Sequence, residues 1–295
     1  MKLNTIDLFA GCGGMTDGFA QEGHFRVLGC VEWEAPMCET LVNRLKNKWG
    51  HNNANNEVIR FDIQRTEELF SGFSDEEYGS HSGLDSLVKD QKVDAIIGGP
   101  PCQAYSIAGR IRDEKGMRDD YRNFLFESYI KVVSHYQPDF FVFENVVGLL
   151  SAAPTGEPIT NIIRKTFSEA GYRIISNLKD ALFDVADFGI PQHRRRVIIL
   201  GIREASFNCG HENFMEDKCS QILQDFYYNI IPSFKTKHLA TVDDAIKDLP
   251  KLFPSEEIIK CDGRKYSHYP IDGNGYLNHI PRFHSKRDIN VFRML

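Results

Sequence analysis

The sequence predicts an α/β fold in which helices wrap both faces of a mostly parallel, doubly wound sheet. Short apolar runs recur within residues 1–201, and polar or helical segments separate them. A glycine-rich turn follows the first run, as in sheets of this class where the backbone approaches a ligand. The runs that we interpret as strands cover residues 4–9, 25–31, 57–61, 93–97, 140–143 and 197–201.

Composition limits the class of protein. The chain has 295 residues, 42% hydrophobic and 26% charged, which is typical of a globular protein with one or two domains. No apolar run reaches membrane-spanning length and residues 1–9 do not resemble a secretion signal, so we expect a cytoplasmic protein without a membrane partner. Cys209, His211 and Cys219 include no Cys-x-x-Cys pair, and we expect no metal site.

Residues that could hold a nucleoside follow the first three predicted strands. Asp-Leu-Phe-Ala-Gly-Cys-Gly-Gly covers residues 7–14 at the first strand end. Glu32 and Trp33 follow the second strand, where an acid can accept hydrogen bonds from a ribose and an aromatic ring can lie on an adenine. Asp62 follows the third strand. Core packing for Trp33 and helix capping for Asp62 are the structural alternatives.

The segment 98–110, Gly-Gly-Pro-Pro-Cys-Gln-Ala-Tyr-Ser-Ile-Ala-Gly-Arg, follows the fourth predicted strand. Open α/β sheets place reacting groups at the carboxyl ends of their strands. Pro100 and Pro101 restrict the backbone up to Cys102, and small residues follow it. This pattern favours a rigid nucleophile beside a segment that can close. An inert buried cysteine in a turn is the alternative.

Charged residues flank two further strands. Glu144 lies at the end of one of them in Phe-Glu-Asn-Val, among apolar residues where we expect its carboxyl group to be desolvated, which suits proton transfer near neutral pH. Capping of the next helix is the structural alternative for Glu144. Arg194, Arg195 and Arg196 precede the strand at residues 197–201, and plain surface charge is the alternative for them.

Four of these motifs, in this order, resemble the cytosine-C5 DNA methyltransferases of bacterial restriction-modification systems. They are the glycine-rich turn at residues 7–14, Pro-Pro-Cys-Gln at 100–103, Phe-Glu-Asn-Val at 143–146 and Gln-x-Arg-x-Arg at 192–196. The resemblance covers residues 3–201 and implies a Rossmann-like, S-adenosylmethionine-dependent catalytic domain over residues 1–201. Residues 202–295 are then a partial or irregular segment that leads into a smaller target-recognition domain.

The resemblance also implies a role for individual residues. The cytosine of double-stranded DNA would flip out of the helix and form a covalent adduct with Cys102. The implied catalytic residues are Cys102, Glu144, Arg194 and Arg196. The implied DNA-contacting loop includes Gln103, Ser106 and Arg110. The implied ligands of S-adenosylmethionine are Phe9, Gly11, Gly13, Glu32, Trp33, Asp62, Ile63, Pro101 and Leu125.

Alternative functions remain open at this point. The family's target-recognition region and its Gly-Asn-x-Val segment are not recognisable, and a net charge of −6 is unusual for a DNA-binding enzyme. A catalytic subunit that needs a second polypeptide for target recognition would explain both the missing motifs and the net charge.

Two other activities are further alternatives. The tRNA cytosine-C5 methyltransferases share the motifs, although residues 9–10 and 104–109 favour the bacterial DNA enzymes. A nicotinamide-dependent enzyme would leave Cys102 without a role. The DNA enzyme would act at the bacterial nucleoid.

Overall fold

The computed structural model describes residues 2–101, 125–153, 156–207, 212–261, 263–268 and 283–294. The chain forms two compact units. The first comprises Met1–Phe188 and Arg194–Thr236, and the second comprises Gly189–His193 and Lys237–Leu295. The first unit carries the predicted α/β fold, which is confirmed.

Within the described ranges, eight strands of the first unit form one sheet. They are β1 (Leu3–Leu8), β2 (Phe25–Glu32), β3 (Val58–Arg60), β6 (Ala95–Gly98), β7 (Phe140–Val146), β8 (Tyr172–Ile174), β9 (Leu182–Asp184) and β10 (Arg195–Arg203). Their order in the sheet is β3-β2-β1-β6-β7-β10-β8, with β9 also paired to β10. The first five strands in that order run parallel, whereas β10 is antiparallel to β7, β8 and β9.

Helices cover both faces of this sheet. One face buries Ile6, Leu8 and Phe141 in a cluster that includes Tyr129 of α6, and the other buries Cys30 with Leu41 of α2. The order of connections reverses between β1 and β6, which places a switch point at their carboxyl ends. The helices of this unit are α1 (Gly14–Glu22), α2 (Ala35–Trp49), α3 (Ala54–Glu57), α4 (Thr66–Ser71), α5 (Gly83–Val88), α6 (Leu125–Tyr136), α7 (Ile159–Glu169), α8 (Glu212–Asp225) and α9 (Ile231–Ser233).

Two stretches contain elements that the predicted strands do not include. Residues 66–91 form a hairpin of β4 (Phe73–Asp75) and β5 (Gly79–His81) between α4 and α5. Residues 204–234, part of the segment 202–295 that the sequence predicts to be partial or irregular, include α8, a π-helix at Phe226–Ile230 and α9. Long-range contacts stabilise the second stretch. The Tyr227 hydroxyl accepts from Leu200 N at 2.7 Å and donates to Ile198 O at 2.9 Å.

The second unit contains a short helix, a hairpin and a terminal helix. The short helix is α10 (Val242–Ile246), and Thr241 and Asp244 form a capping box at its start. The hairpin pairs β11 (Pro254–Cys261) with β12 (Arg264–His268), and α11 covers Lys286–Met294. Over the part of the chain that the structure describes, no helix combines the length and apolar character needed to span a membrane.

A buried carboxyl group fixes the start of α1. Asp7 is 1% exposed, and its Oδ2 accepts from the Thr16 backbone N–H at 3.0 Å and from the Thr16 hydroxyl. Among the described residues its Oδ1 has no hydrogen-bond partner. Burial raises the pKa of Asp7 to about 7, although both hydrogen bonds from Thr16 lower this pKa in part.

This raised pKa predicts that the contribution of Asp7 to stability decreases with rising pH. The folded state holds the Asp7 proton more tightly than the unfolded chain, whose carboxyl pKa is near 3.8. The contribution of Asp7 to the free energy of unfolding should therefore be largest below about pH 4 and fall as pH rises to about 7, by on the order of 2–4 kcal/mol. In urea unfolding, the free energy of unfolding of Asp7→Asn minus that of the exposed control Asp90→Asn should therefore increase from pH 4 to pH 7. A difference that stays constant over this range would contradict this assignment.

Candidate active site

A cavity of about 390 Å³ opens at the carboxyl ends of β1, β2, β3 and β6. Its size lies within the range of about 300–1,000 Å³ that is typical of small-molecule sites. Eight of the nine residues that the sequence assigns to the cofactor line it. They are Phe9, Gly11, Glu32, Trp33, Asp62, Ile63, Pro101 and Leu125.

The turn after β1 forms one wall of the cavity and has an unusual backbone. Phe9 has φ 58°, a left-handed conformation that is costly for a bulky side chain. Gly11 also has a positive φ, of 57°, and a Cβ atom there would meet nothing within 4 Å. Strained residues persist where the surrounding structure holds them, and they concentrate at functional sites. The conformation of Phe9 therefore supports a binding role for this turn.

Gly13 does not line the cavity. It precedes α1 with φ 86°, and a Cβ atom there would lie 2.5 Å from Leu41 Cδ1. The absence of a side chain at Gly13 lets α1 begin against α2. The structure thus gives Gly13 a packing role in place of the direct cofactor contact that the resemblance implied.

The carboxylate of Glu32 joins two turns of the cavity wall. Its Oε2 accepts from Gly11 N at 2.7 Å, and its Oε1 accepts from the backbone N–H groups of Trp33 and Glu34 at 2.8 and 2.9 Å. A carboxylate oxygen has two lone pairs, so Oε2 can still accept one further hydrogen bond. Glu32 is 9% exposed, and this remaining lone pair suits a hydroxyl group in the cavity.

Trp33 and Asp62 lie at the same end of the cavity. Trp33 is 42% exposed, so the core-packing alternative for this residue is wrong. Asp62 Oδ1 accepts from Gln64 N at 3.0 Å, which is a local turn bond. The N-cap of the helix that follows, α4, is Arg65, so the helix-capping alternative for Asp62 is wrong. Asp62 lines the cavity.

A carboxylate and a guanidinium group form an ion pair beside this cavity. Glu144 of β7 opposes Ile198 of β10, and Arg196 lies two residues before Ile198 in β10. This diagonal spacing brings Arg196 Nε within 2.7 Å of Glu144 Oε1. A Cβ atom at Gly99 would lie 2.8 Å from Glu144 Oε2. Because Gly99 lines the cavity, the Glu144 carboxylate lies against a residue of the cavity wall.

Asn145 anchors the segment that leads to Cys102. This residue is 3% exposed, and its Nδ2 donates to Pro100 O at 3.3 Å. Its Oδ1 accepts from Val146 N at 2.8 Å. A buried amide that is bonded on both sides fixes the course of the chain after β6. The sequence signal for this role was its place in Phe-Glu-Asn-Val.

The remaining predicted catalytic residues differ from one another in their surroundings. The Glu144 side chain is 30% exposed and paired, so the expected desolvation among apolar residues is wrong. Phe141 and Phe143, which alternate with Glu144 along β7, are buried, whereas Glu144 shares the opposite face of the strand with the partly buried Val142 and Val146. Arg194 is exposed, and its backbone N–H donates to Asp184 Oδ1 at 3.0 Å. Cys102, Gln103, Ser106 and Arg110 lie outside the described residues.

The cavity also includes residues that sequence reasoning missed. Val31, Glu34 and Phe61 are direct sequence neighbours of predicted ligands, whereas Met37 and Gly99 are not. Gly99 was visible as part of the diglycine before Pro100, but nothing in that pattern showed which side chain approaches it. Met37 lies on the first turn of α2, and only the packing of α2 brings it to the cavity.

Comparison with known proteins identifies the family. The family profile described as C-5 cytosine-specific DNA methylase matches residues 3–276. The chain belongs to the C-5 cytosine-specific DNA methylase family. The expected family is thereby confirmed, and the match extends beyond residue 201, where the recognised motifs end.

Individual relatives of this chain are named as type II methyltransferases. It is 30% identical to type II methyltransferase M.Bpa9945I of Bacillus paralicheniformis, across 98% of this chain and 73% of that protein. It is also 30% identical to type II methyltransferase M.DdeI of Desulfomicrobium norvegicum, across 98% of this chain and 60% of that protein. The methylase thus spans 60–73% of the length of these two relatives.

A solved structure of similar fold covers nearly all of the methylase. It is a DNA modification methyltransferase encoded within an E. coli prophage, with a TM-score of 0.56 and 24% identity over 99% of this chain and 69% of that one. At this identity the likeness bears on the fold alone. None of these comparisons supports the alternative that a second polypeptide supplies target recognition.

The approach of Glu144 to Gly99 can be tested by adding one methyl group. Gly99→Ala would place a Cβ atom 2.8 Å from Glu144 Oε2 and displace the carboxylate. Displacing a reacting group by about 1 Å can lower rates by roughly 10²-fold, so we expect methyl transfer to fall by about tenfold to a hundredfold. Gly14→Ala is the matched control, because a Cβ atom there meets nothing within 4 Å. Equal activity in both variants, measured as initial rates, would show that Glu144 does not need this space.

Proposed function

We propose that this methylase transfers a methyl group from S-adenosylmethionine to C5 of cytosine in double-stranded DNA. The Glu144–Arg196 ion pair behind the wall of the cavity is the observation that carries the proposal. Membership of the C-5 cytosine-specific DNA methylase family supports DNA as substrate over tRNA. The type II relatives support a role in bacterial restriction-modification, and the location at the nucleoid in the cytoplasm stays a prediction.

The residues of the cavity fit S-adenosylmethionine. Trp33 offers an aromatic face for adenine, Glu32 a lone pair for a ribose hydroxyl, and Asp62 a carboxylate for the adenine amino group. The turn at Phe9 and Gly11 has no side chain at position 11 to obstruct a ligand. When bound, the cofactor supplies an electrophilic methyl group on a sulfonium sulfur.

The chain itself would activate the cytosine. Cys102 follows Pro101 of the cavity wall, and its thiolate would form a bond to C6, which moves electron density onto C5 and the N3 side of the ring. Glu144, after taking a proton from solvent, would protonate N3 or donate a hydrogen bond to it, and Arg196 would hold that carboxyl group in position. After methylation, a solvent base would take the C5 proton, the bond between Cys102 and C6 would break, and N3 would return its proton.

The substrate base must leave the DNA helix for this chemistry. The C6 and C5 atoms of a cytosine that is stacked in the duplex are not accessible to a protein side chain, so the base would flip out. Gln103, Ser106 and Arg110 follow Cys102 closely in the chain, and we propose that they contact the DNA around the flipped base. Arg194, which is exposed at the start of β10, would assist in holding the base.

Transfer of a labelled methyl group tests the proposal directly. Tritium from S-adenosylmethionine should appear in acid-stable form in unmethylated duplex DNA, and nucleoside analysis should recover it as 5-methylcytosine. Unmodified tRNA and DNA that lacks cytosine are the comparison substrates. Label recovered only from tRNA, or on an exocyclic amino group of DNA, would contradict the proposed function.

The covalent step predicts a specific trapped complex. Duplex DNA with 5-fluorocytosine cannot lose a proton from C5, so the Cys102 adduct should accumulate and survive denaturing electrophoresis. Cys102→Ser should abolish the adduct and lower turnover by about 10³-fold or more, because a serine hydroxyl is a far weaker nucleophile. Cys12→Ser is the matched control, since Cys12 is an exposed free thiol of the glycine-rich turn. An adduct that persists in Cys102→Ser would exclude Cys102 as the nucleophile.

A further inference from the structure

The β4–β5 hairpin (Phe73–Asp75 and Gly79–His81) lies beside the end of the cavity that contains Trp33 and Asp62. Phe73 stacks on Phe61 with ring centres 3.8 Å apart, and Phe61 lines the cavity. Asp75 shapes the turn of the hairpin, because its Oδ1 accepts from Glu77 N at 3.0 Å and from Tyr78 N at 2.7 Å. This turn directs Tyr78 back towards the cavity wall.

Tyr78 contacts the cavity wall through both its ring and its hydroxyl group. The ring meets Phe61 edge-on at 5.2 Å. Burial raises the pKa of Tyr78, and hydrogen bonding to Glu77 and the charge of Asp62 raise it further, whereas hydrogen bonding with Trp33 lowers it. The hydroxyl group thus hydrogen-bonds with Trp33 and Glu77. Tyr78 therefore contacts two cavity residues, Phe61 and Trp33, without lining the cavity itself.

Arg60 joins the hairpin to the turn that carries Trp33. Its Nε donates to Trp33 O at 3.3 Å and its Nη1 donates to Glu77 O at 2.9 Å. Its guanidinium carbon lies 5.3 Å from the centre of the Tyr78 ring, within the range of a cation–π contact. The backbone and the side chain of Trp33 are thus both attached to one hairpin, through Arg60 and Tyr78.

We propose that Tyr78 is a positioning residue for the cofactor, which holds the indole ring of Trp33 against the nucleoside end of the cavity. The inference rests on the proposed function, since it requires Trp33 to contact an adenine. A 42% exposed indole has rotational freedom unless a neighbour restricts it. The Tyr78 hydroxyl and the Arg60 link restrict it before the cofactor arrives. The hairpin thereby becomes a determinant of cofactor affinity, although none of its residues contacts the cofactor.

Binding of S-adenosylhomocysteine, the demethylated product, tests this role without requiring catalysis. Tyr78→Phe removes only the hydroxyl group, and loss of one hydrogen bond should weaken binding by about threefold to tenfold in calorimetry. The KM for S-adenosylmethionine should rise by a similar factor, while kcat at saturation should stay within about twofold. Tyr136→Phe is the matched control, because the Tyr136 hydroxyl donates to Asp85 Oδ1 at 2.7 Å and Tyr136 does not line the cavity.

Fluorescence reports the position of Trp33 itself. The chain has two tryptophans, so Trp33 is the sole emitter in a Trp49→Phe background. S-adenosylhomocysteine should quench Trp33 less in Tyr78→Phe than in the parent, and the emission anisotropy of the free protein should decrease. Arg60→Met should shift both measurements in the same direction.

The outcomes separate the possible failures. Unchanged affinity and unchanged Trp33 emission in Tyr78→Phe would overturn the positioning role. A loss of affinity that accompanies an equal loss of the urea midpoint, with unchanged Trp33 anisotropy, would also overturn it in favour of general stability. If the parent protein binds no S-adenosylhomocysteine, the proposed function itself fails.

Discussion

The arrangement of the site depends on the close approach of three adjacent strands at a diglycine. A Cβ atom at Gly98 would lie 2.5 Å from Leu8 O of β1, and a Cβ atom at Gly99 would lie 2.8 Å from Glu144 Oε2 of β7. Only glycine permits both contacts at the end of β6. This approach puts a carboxylate behind the same wall that a small molecule would contact. Arg196 of β10 then completes the pair from the far side of β7.

The cavity wall combines a strained turn with a carboxylate that holds it. Phe9 adopts a left-handed backbone that is unfavourable for its side chain, by on the order of 1–2 kcal/mol. The Glu32 carboxylate bonds the N–H of Gly11 two residues later, and the buried core around Ile6 and Leu8 fixes the strand before it. Long-range bonds of this kind offset local strain. They also leave the turn preorganised, so that a ligand need not order it.

Local sequence patterns predicted most of the framework and only part of the site. Apolar runs located six of the eight strands of the sheet, because a buried strand has a short and distinctive pattern, whereas the short strands β8 and β9 lie outside these runs. Trp33 and Asp62 line the cavity, but Gly13 packs against Leu41, and no local signal distinguishes a packing glycine from a ligand-contacting one. The approach of Glu144 to Arg196 depends on an antiparallel register, and the contacts of Tyr78 depend on a hairpin absent from the predicted elements. Both arise from tertiary packing.

We propose that Glu144 and Arg196 act as one unit on a cytosine beside the cavity. A double-mutant cycle of Glu144→Gln and Arg196→Met, measured as single-turnover rates of methyl transfer to duplex DNA, tests whether the two side chains act together. If the two side chains act together, the double variant should be no more than about threefold slower than the slower single variant. If the two losses of rate multiply in the double variant, Glu144 and Arg196 act independently, which contradicts their joint action on the cytosine.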